Sequence, residues 1–289
     1  MSSIVCAVEK HSSGMTRLPL NHLVVQPLRA LNRYRHLIAG LVQRDISMRF
    51  RQSTLDMLWL VLQPLAQLLI YSFVFQAVLR VRWGEPHTGA LSVPTGLMLF
   101  VGLTIHTLLA ETLIRAPAAI TGNVSYVKKV VFPLAILPVV IILSSLVFMV
   151  ASLVISVIAS LLLVGYVAPT TPLIVLPLLA LTVMTFGIGW LVAAVGVFFR
   201  DLNQIMPYIT TILLFTSPIC FPRNMVPQQF QGLLTINPLT MPVEMTRDMM
   251  FGRPFDLSEL LPYSAIALLI FFIGYSIFQK LRPGFADVL

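Results

Sequence analysis

The chain has 289 residues, of which 57% are hydrophobic and only 10% charged, with a mean hydropathy of +0.91 and a formal net charge of +8. A soluble protein carries about a quarter charged residues, so this composition excludes a soluble globular enzyme or binding module. Cys6 and Cys220 give no internal disulfide framework, and His11, His22, His36, His87 and His106 show no metal-ligand spacing, so no metal or cofactor is expected.

Residues 1–27 are polar and mixed, with no apolar core that would make a cleavable signal, and read as a flexible cytoplasmic tail. Over 28–52, Leu28, Leu31, Tyr34, Leu37, Ile38, Leu41, Val42 and Ile46 recur at three- and four-residue steps. Arg29, Arg33, His36, Gln43, Arg44 and Ser47 fill the other face, which describes a helix lying in the headgroup plane. The first span follows at about 57–79, with Pro64 expected to kink it, and then a polar loop at 80–92. The second span, about 93–114, carries Gly96 and Gly102, which allow close helix approach, together with His106 and Glu111.

Between Lys129 and Arg200 nothing is ionisable except Tyr166, a run far longer than one crossing of roughly 20 residues. Gly165, Pro169 and Pro172 break it near its middle, predicting two spans at about 132–164 and 172–198 folded back through a short turn. A fifth span is expected at about 205–221 and a sixth at about 262–278. Residues 222–261 are too apolar for a solvated loop and too broken by Pro222, Pro227, Pro238, Pro242 and Pro254 for a crossing. Half-helices that dip in and return suit this segment, and a folded external cap is the other reading.

In hydrocarbon every backbone polar group must be satisfied internally, and the long apolar runs favour helices over the alternation of a barrel. The expected fold class is all-α: a polytopic membrane protein of six transmembrane helices, with an N-terminal interfacial helix and a re-entrant segment between spans five and six. With six spans both termini share one side, which collects 14 of the 19 Lys and Arg, so both termini are expected in the cytoplasm.

Candidates for chemistry are few. No Gly-x-x-x-x-Gly-Lys-Ser/Thr phosphate loop is present, so ATP hydrolysis is not expected on this chain, and no nucleophile–base pair stands out. Ionisable groups within a membrane are functional candidates by default, which singles out His106 and Glu111. Glu111 lies four residues before Arg115, however, and a pair at the membrane edge is expected there. Tyr71, Phe73 and Phe75 in the first span and Tyr208 and Phe215 in the fifth could line a path on which sugar rings stack, although lipid-facing or packing aromatics are commoner.

Several motifs are familiar in order and spacing across nearly all the chain after about Tyr34. They are the stretch from Leu41 to Ser53 with Arg44-Asp45 and Arg49-Phe50-Arg51; Trp59 and Pro64; Asn123, Lys128 and Phe132-Pro133 with Pro138; Phe199-Arg200-Asp201; Ser217-Pro218-Ile219; Asn237-Pro238 with Glu244 and Arg247; and Phe278-Gln279-Lys280 with Phe285-Ala286. Together they resemble the permease subunit of type-2 ABC exporters of cell-surface polysaccharide, the O-antigen, capsule and teichoic acid exporters. Asp56 departs from the Gly common in that family, and Phe50 and Phe221 from its Tyr.

The resemblance implies a half-transporter in a bacterial inner membrane. Two copies would form a channel for a lipid-linked polysaccharide, and two copies of a separate nucleotide-binding ATPase would dock on the cytoplasmic side. It implies coupling to the ATPase through Arg44, Asp45, Arg49, Asn123, Lys128, Lys129, Arg200 and Asp201. An external gate would involve Pro218, Asn237, Pro238, Glu244 and Arg247. A drug or lipid efflux permease of the same superfamily is the alternative. An integral-membrane transferase is a further one, for which only Glu111 and His106 could serve as catalytic groups.

Overall fold

The computed structural model describes residues 33–51, 55–80, 93–125 and 132–289, and every regular element among them is helical. The tail at 1–27, nearly all of the loop at 80–92 and the pair Lys128-Lys129 lie outside the described residues.

The helix expected in the headgroup plane is α1, Arg35–Phe50. Ile38, Ile46 and Phe50 are buried and Tyr34, Leu41 and Val42 partly buried, while Leu37 stands exposed with Arg35, His36, Gln43 and Arg44, so the described part of the stripe is packed except at Leu37. The first apolar rod is α2, Trp59–Tyr71, with Pro64 inside it; from Ser72 to Val78 it continues in wider π-helical turns. Next come α3, Thr95–Arg115, and the short α4, Ala118–Thr121. The long apolar run divides as predicted, into α5, Ile136–Val164, and α6, Val175–Phe198, the latter entered through a 3-10 turn at Thr171–Ile174. Gly165 ends α5 at φ +73°, a left-handed conformation that a side chain would oppose.

Among the described residues, five helical stretches are long and apolar enough to cross a bilayer: Trp59–Val78, Thr95–Arg115, Ile136–Val164, Thr171–Phe198 and Leu257–Val288. The span expected at 205–221 is instead α7, Leu202–Phe215, only 14 residues long. At 1.5 Å per residue that is about 21 Å, short of the ~30 Å hydrocarbon core. It stops there because Ser217 precedes Pro218, whose ring disfavours helical backbone in the residue before it. Beyond it lie 3-10 turns at Arg223–Met225 and Gln228–Phe230, then α8, Gln231–Ile236, and α9, Thr240–Phe251. The chain ends in α10, Leu260–Leu281, and α11, Phe285–Val288.

Helix α3 is the axis of the fold. Leu97, Met98, Val101, Ile105, Leu108 and Leu109 have no exposed surface, and α2, α5, α6, α7 and α9 all pack against it. The most extensive helix pair is α6 with α10. There Gly187 and Gly274 bring the two backbones into direct contact, and a Cβ at Gly274 would strike the Gly187 carbonyl. Beside this crossing Trp190 is fully buried, edge-on to Phe271 and Tyr275, and its indole N–H donates to the Ala135 carbonyl at 2.9 Å. Gly96 has the close-approach role expected of it, against the Ser72 backbone, whereas Gly102 makes room for the Arg247 guanidinium.

Candidate functional site

Polar side chains gather at the two ends of α3. At its C-terminal end the interfacial helix is tied down by charge. Arg49 on α1 donates from Nη1 to Glu111 Oε1 at 3.0 Å and from Nη2 to Oε2, a bidentate pair, and its guanidinium lies 4.3 Å from the Phe148 ring centroid on α5. Ser145, also on α5, donates to Glu111 Oε2 at 2.6 Å. One turn away Arg115 Nη2 donates to Asp45 Oδ1 at 2.5 Å. Three helices therefore meet in one joint of two ion pairs. The pair expected within α3, between Glu111 and Arg115, does not form. Asp45 and Arg49 sit one turn apart on the packed face of α1, and that face offers each α3 charge an opposite partner.

His106, midway along α3, donates from Nε2 to the Thr210 carbonyl of α7 at 3.0 Å. Of the two groups considered for transferase chemistry, Glu111 is tied to Arg49 and Ser145, and His106 links α3 to α7.

At the N-terminal end of α3 a buried cation holds the segment after α7. Arg247, only 5% exposed, donates to three carbonyls: Nε to Met98 at 2.9 Å, Nη1 to Pro218 at 2.6 Å and Nη2 to Ile219 at 3.0 Å. Burial pushes Arg247 down to about 9, which leaves it charged at neutral pH. Asn237 braces the same corner. Its Nδ2 donates to the Leu213 carbonyl and to Thr216 Oγ1, each at 2.8 Å, and its Oδ1 accepts the Leu239 N–H at 2.9 Å. Pro238 presents its carbonyl to the Tyr263 hydroxyl at 2.8 Å, and Thr170 donates to the Met249 carbonyl. Helix α9 is in this way fastened to α3, α7, α10 and the α5–α6 turn.

Beside it opens a cavity of about 320 Å³, lined by Glu244, Arg247, Asp248, Arg253, Phe255 and Glu259 among others. Glu244 meets Arg223 at 3.6 Å. Burial raises the Glu244 carboxyl above its usual value, and it raises Asp248 to about 6 against the partial opposition of Arg253 and Arg247.

The external-gate set from the sequence, Pro218, Asn237, Pro238, Glu244 and Arg247, is therefore brought together at this one end. The aromatic set is divided. Phe73, Tyr208 and Phe215 stand exposed on α2 and α7, while Tyr71 and Phe75 are half-buried. The coupling set is divided too. Arg44, Arg200 and Asp201 are exposed, Asp45 and Arg49 face inward in the ion-pair joint, and Asn123 folds back to the Ala119 carbonyl at 2.9 Å. Sequence reasoning missed Ser145 and Asp248. Both carried a signal: a serine pair, Ser144-Ser145, inside an apolar run, and charges at Glu244, Arg247 and Asp248 with helical spacing in an otherwise apolar segment.

The chain is 27% identical over 260 residues to the O-antigen export system permease protein RfbA of Klebsiella pneumoniae, covering 88% of this chain and 95% of the relative. It is 26% identical over 270 residues to the protein of the same name from Myxococcus xanthus, covering 91% and 99%. To the polysialic acid transport protein KpsM of Escherichia coli it is 25% identical over 244 residues, covering 84% and 92%. The family model described as ABC-2 type transporter matches residues 36–251, from the interfacial helix through α9, and the chain belongs to that family.

Proposed function

We propose that the chain is the transmembrane subunit of an ATP-driven exporter that moves a lipid-linked, O-antigen-like polysaccharide out of the cytoplasm across a bacterial inner membrane. The observation that carries this reading is the match along nearly the whole chain to permeases named for O-antigen export and polysialic acid transport. ABC-2 permeases normally pair with an ATP-binding subunit, and this chain has no phosphate-binding loop of its own.

In this reading two copies assemble with two copies of the ATPase. The unequal burial of the helices supports a second copy: 72% of the apolar window of α3 is buried, against 11% of that of α2. The faces of α2 and α7 that carry Phe73, Tyr208 and Phe215 are open to a partner chain, to lipid or to a glycan path between copies. Both termini lie in the cytoplasm. There the exposed Arg44, Arg200 and Asp201 meet the ATPase, Lys128, Lys129 and Asn123 flank its docking site, and the Asp45 and Arg49 ion pairs carry its motion into α3. The segment 222–261, anchored through Arg247 and Asn237, closes the external mouth.

Deleting the coding sequence tests the proposal. Lipid-linked polymer should accumulate inside the cell while surface glycan is lost. Normal surface glycan in the deletion strain would refute it.

A further inference from the structure

The cavity beside α9 has a lining that selects its ligand by exclusion. Its volume, about 320 Å³, falls within the ~300–1,000 Å³ of small-molecule sites. Arginines and carboxylates are interleaved around it in nearly equal number. A phosphate or carboxylate would face Glu244, Asp248 and Glu259; a metal ion would face Arg223, Arg247 and Arg253. No three side chains of the metal-ligating types converge among the described residues.

An uncharged polyol meets neither obstacle. Each sugar hydroxyl donates to one group and accepts from another, which is what alternating carboxylates and guanidinium groups offer. The apolar C–H face of a pyranose ring needs a flat partner, and Phe255 lies in the wall.

The side chains are also unspent. Asp248, Arg253 and Glu259 make no side-chain hydrogen bond or ion pair among the described residues, although Asp248 and Arg253 are half-buried and all three line the cavity. A half-buried carboxylate without a donor is costly. Arg253 and Arg247 oppose the Asp248 charge only in part, and a hydroxyl that enters the cavity adds the hydrogen-bond donor they do not supply.

We propose that this cavity is a subsite for one uncharged sugar unit, with Asp248 and Glu259 accepting from its hydroxyls, Arg253 donating to them and Phe255 stacking on the ring. The assignment rests on the polysaccharide-export reading for the supply of sugar, which places the subsite at the external mouth, where the emerging glycan would be held as the ATPase resets.

The test is ligand binding to the full-length chain in phosphatidylcholine nanodiscs. The probes are methyl α-mannoside, methyl β-galactoside and methyl β-glucoside, with inorganic phosphate and Ca²⁺ as controls, read by saturation-transfer NMR. Saturable binding of at least one glycoside is expected, weakened about tenfold or more in Asp248→Ala and in Phe255→Ala, which is the loss of one good contact to a charged group or a ring. Glu259→Ala, at an exposed position, repeats the test in a variant whose fold is not at risk. No saturable glycoside binding, binding indifferent to all three substitutions, or saturation by phosphate or Ca²⁺ instead would overturn the subsite. If gene deletion abolishes surface glycan but no glycoside binds, the subsite fails and the export reading stands. If glycosides bind but deletion leaves surface glycan normal, the export reading fails alone.

Discussion

The two ends of α3 treat charge in opposite ways. At the Glu111 end each cation has an anion: Arg49 with Glu111, to which Ser145 and Phe148 add contacts, and Arg115 with Asp45, a pair whose Nη1 and Oδ2 are buried without a hydrogen-bond partner among the described residues. At the Met98 end the buried cation, Arg247, is held by carbonyl oxygens, while the carboxylates nearby face an open cavity. A paired joint transmits displacement because neither partner can leave cheaply. The cavity charges are only loosely matched, Glu244 with Arg223 at 3.6 Å and Asp248 against Arg253 and Arg247, as the proposed sugar subsite requires. In the proposed reading the first end is a hinge plate and the second a receptacle.

The largest effect is expected from breaking the anchor of the receptacle. Arg247→Met leaves the Met98, Pro218 and Ile219 carbonyls without their donor, and at about 1–3 kcal/mol for a buried unsatisfied group the total reaches about 3 kcal/mol or more. Unfolding in detergent micelles should show a large drop in melting temperature, and Arg247→Lys should recover little, because a compact ammonium does not fork to three carbonyls. Gly102→Ala sharpens the point. Its Cβ would strike the pinned guanidinium, so it should be clearly destabilising alone and nearly neutral beside Arg247→Met. Additive costs would mean that Arg247 is not what Gly102 accommodates.

At the hinge plate, Arg49→Met or Glu111→Gln should each cost about 1–3 kcal/mol by stranding a half-buried partner, with a coupling of about 1 kcal/mol or more in the double-mutant cycle. If the proposed export function holds, the same variants should keep ATPase assembly yet lower the export rate. Export at the normal rate with the pair broken would remove Arg49 and Glu111 from the coupling path.

The hinge plate and the receptacle were not equally legible from sequence. Apolar length and helical period identify α1, α2, α3, α5, α6 and α10, because bilayer thickness and the 3.6-residue turn are local constraints. The motif order also grouped Asn237, Glu244 and Arg247, and all three lie toward the Met98 end of α3. What failed was partner choice. Glu111 has Arg115 four residues away, and only the tertiary placement of α1 reveals that Arg49 and Asp45 divide the two charges between them. The ending of α7 at Phe215 was misjudged because hydropathy runs on through Pro218 and Ile219, while hydrogen bonding does not. Asp248 was passed over for a related reason: its lack of a partner is a three-dimensional property.

The Asp248 carboxylate, only partly opposed by Arg253 and Arg247, gives a pH signature of middling size. Folding raises Asp248 from its usual 3.8 to about 6, so the folded protein binds the proton more tightly than the unfolded chain. Stability from this group is full below about pH 4 and declines as pH rises to about 6. Asp248→Asn should therefore raise the melting temperature at pH 7.5 and do little at pH 4. The gain is bounded by about 3 kcal/mol and reduced by water in the cavity. A variant no more stable than wild type at pH 7.5 would mean that the carboxylate is not strained by its burial.

The smallest effect separates the two ends most cleanly. Arg223 and Glu244 approach only to 3.6 Å, with both side chains substantially exposed, whereas Arg49 grips Glu111 through two hydrogen bonds and lies against Phe148. Exposed pairs are worth about 0.2–1 kcal/mol, and salt screens them over about 10 Å at 0.1 M and about 3 Å at 1 M. The Arg223→Ala/Glu244→Gln cycle should thus give a coupling of about 0.5 kcal/mol at low salt that vanishes near 1 M NaCl. The Arg49–Glu111 cycle should keep most of its coupling in the same buffer, because ions do not penetrate between groups shielded by an aromatic ring and a helix face. Equal loss of both couplings would show that the hinge plate is as wet as the receptacle, and a hinge so wet would transmit no more motion than a surface loop.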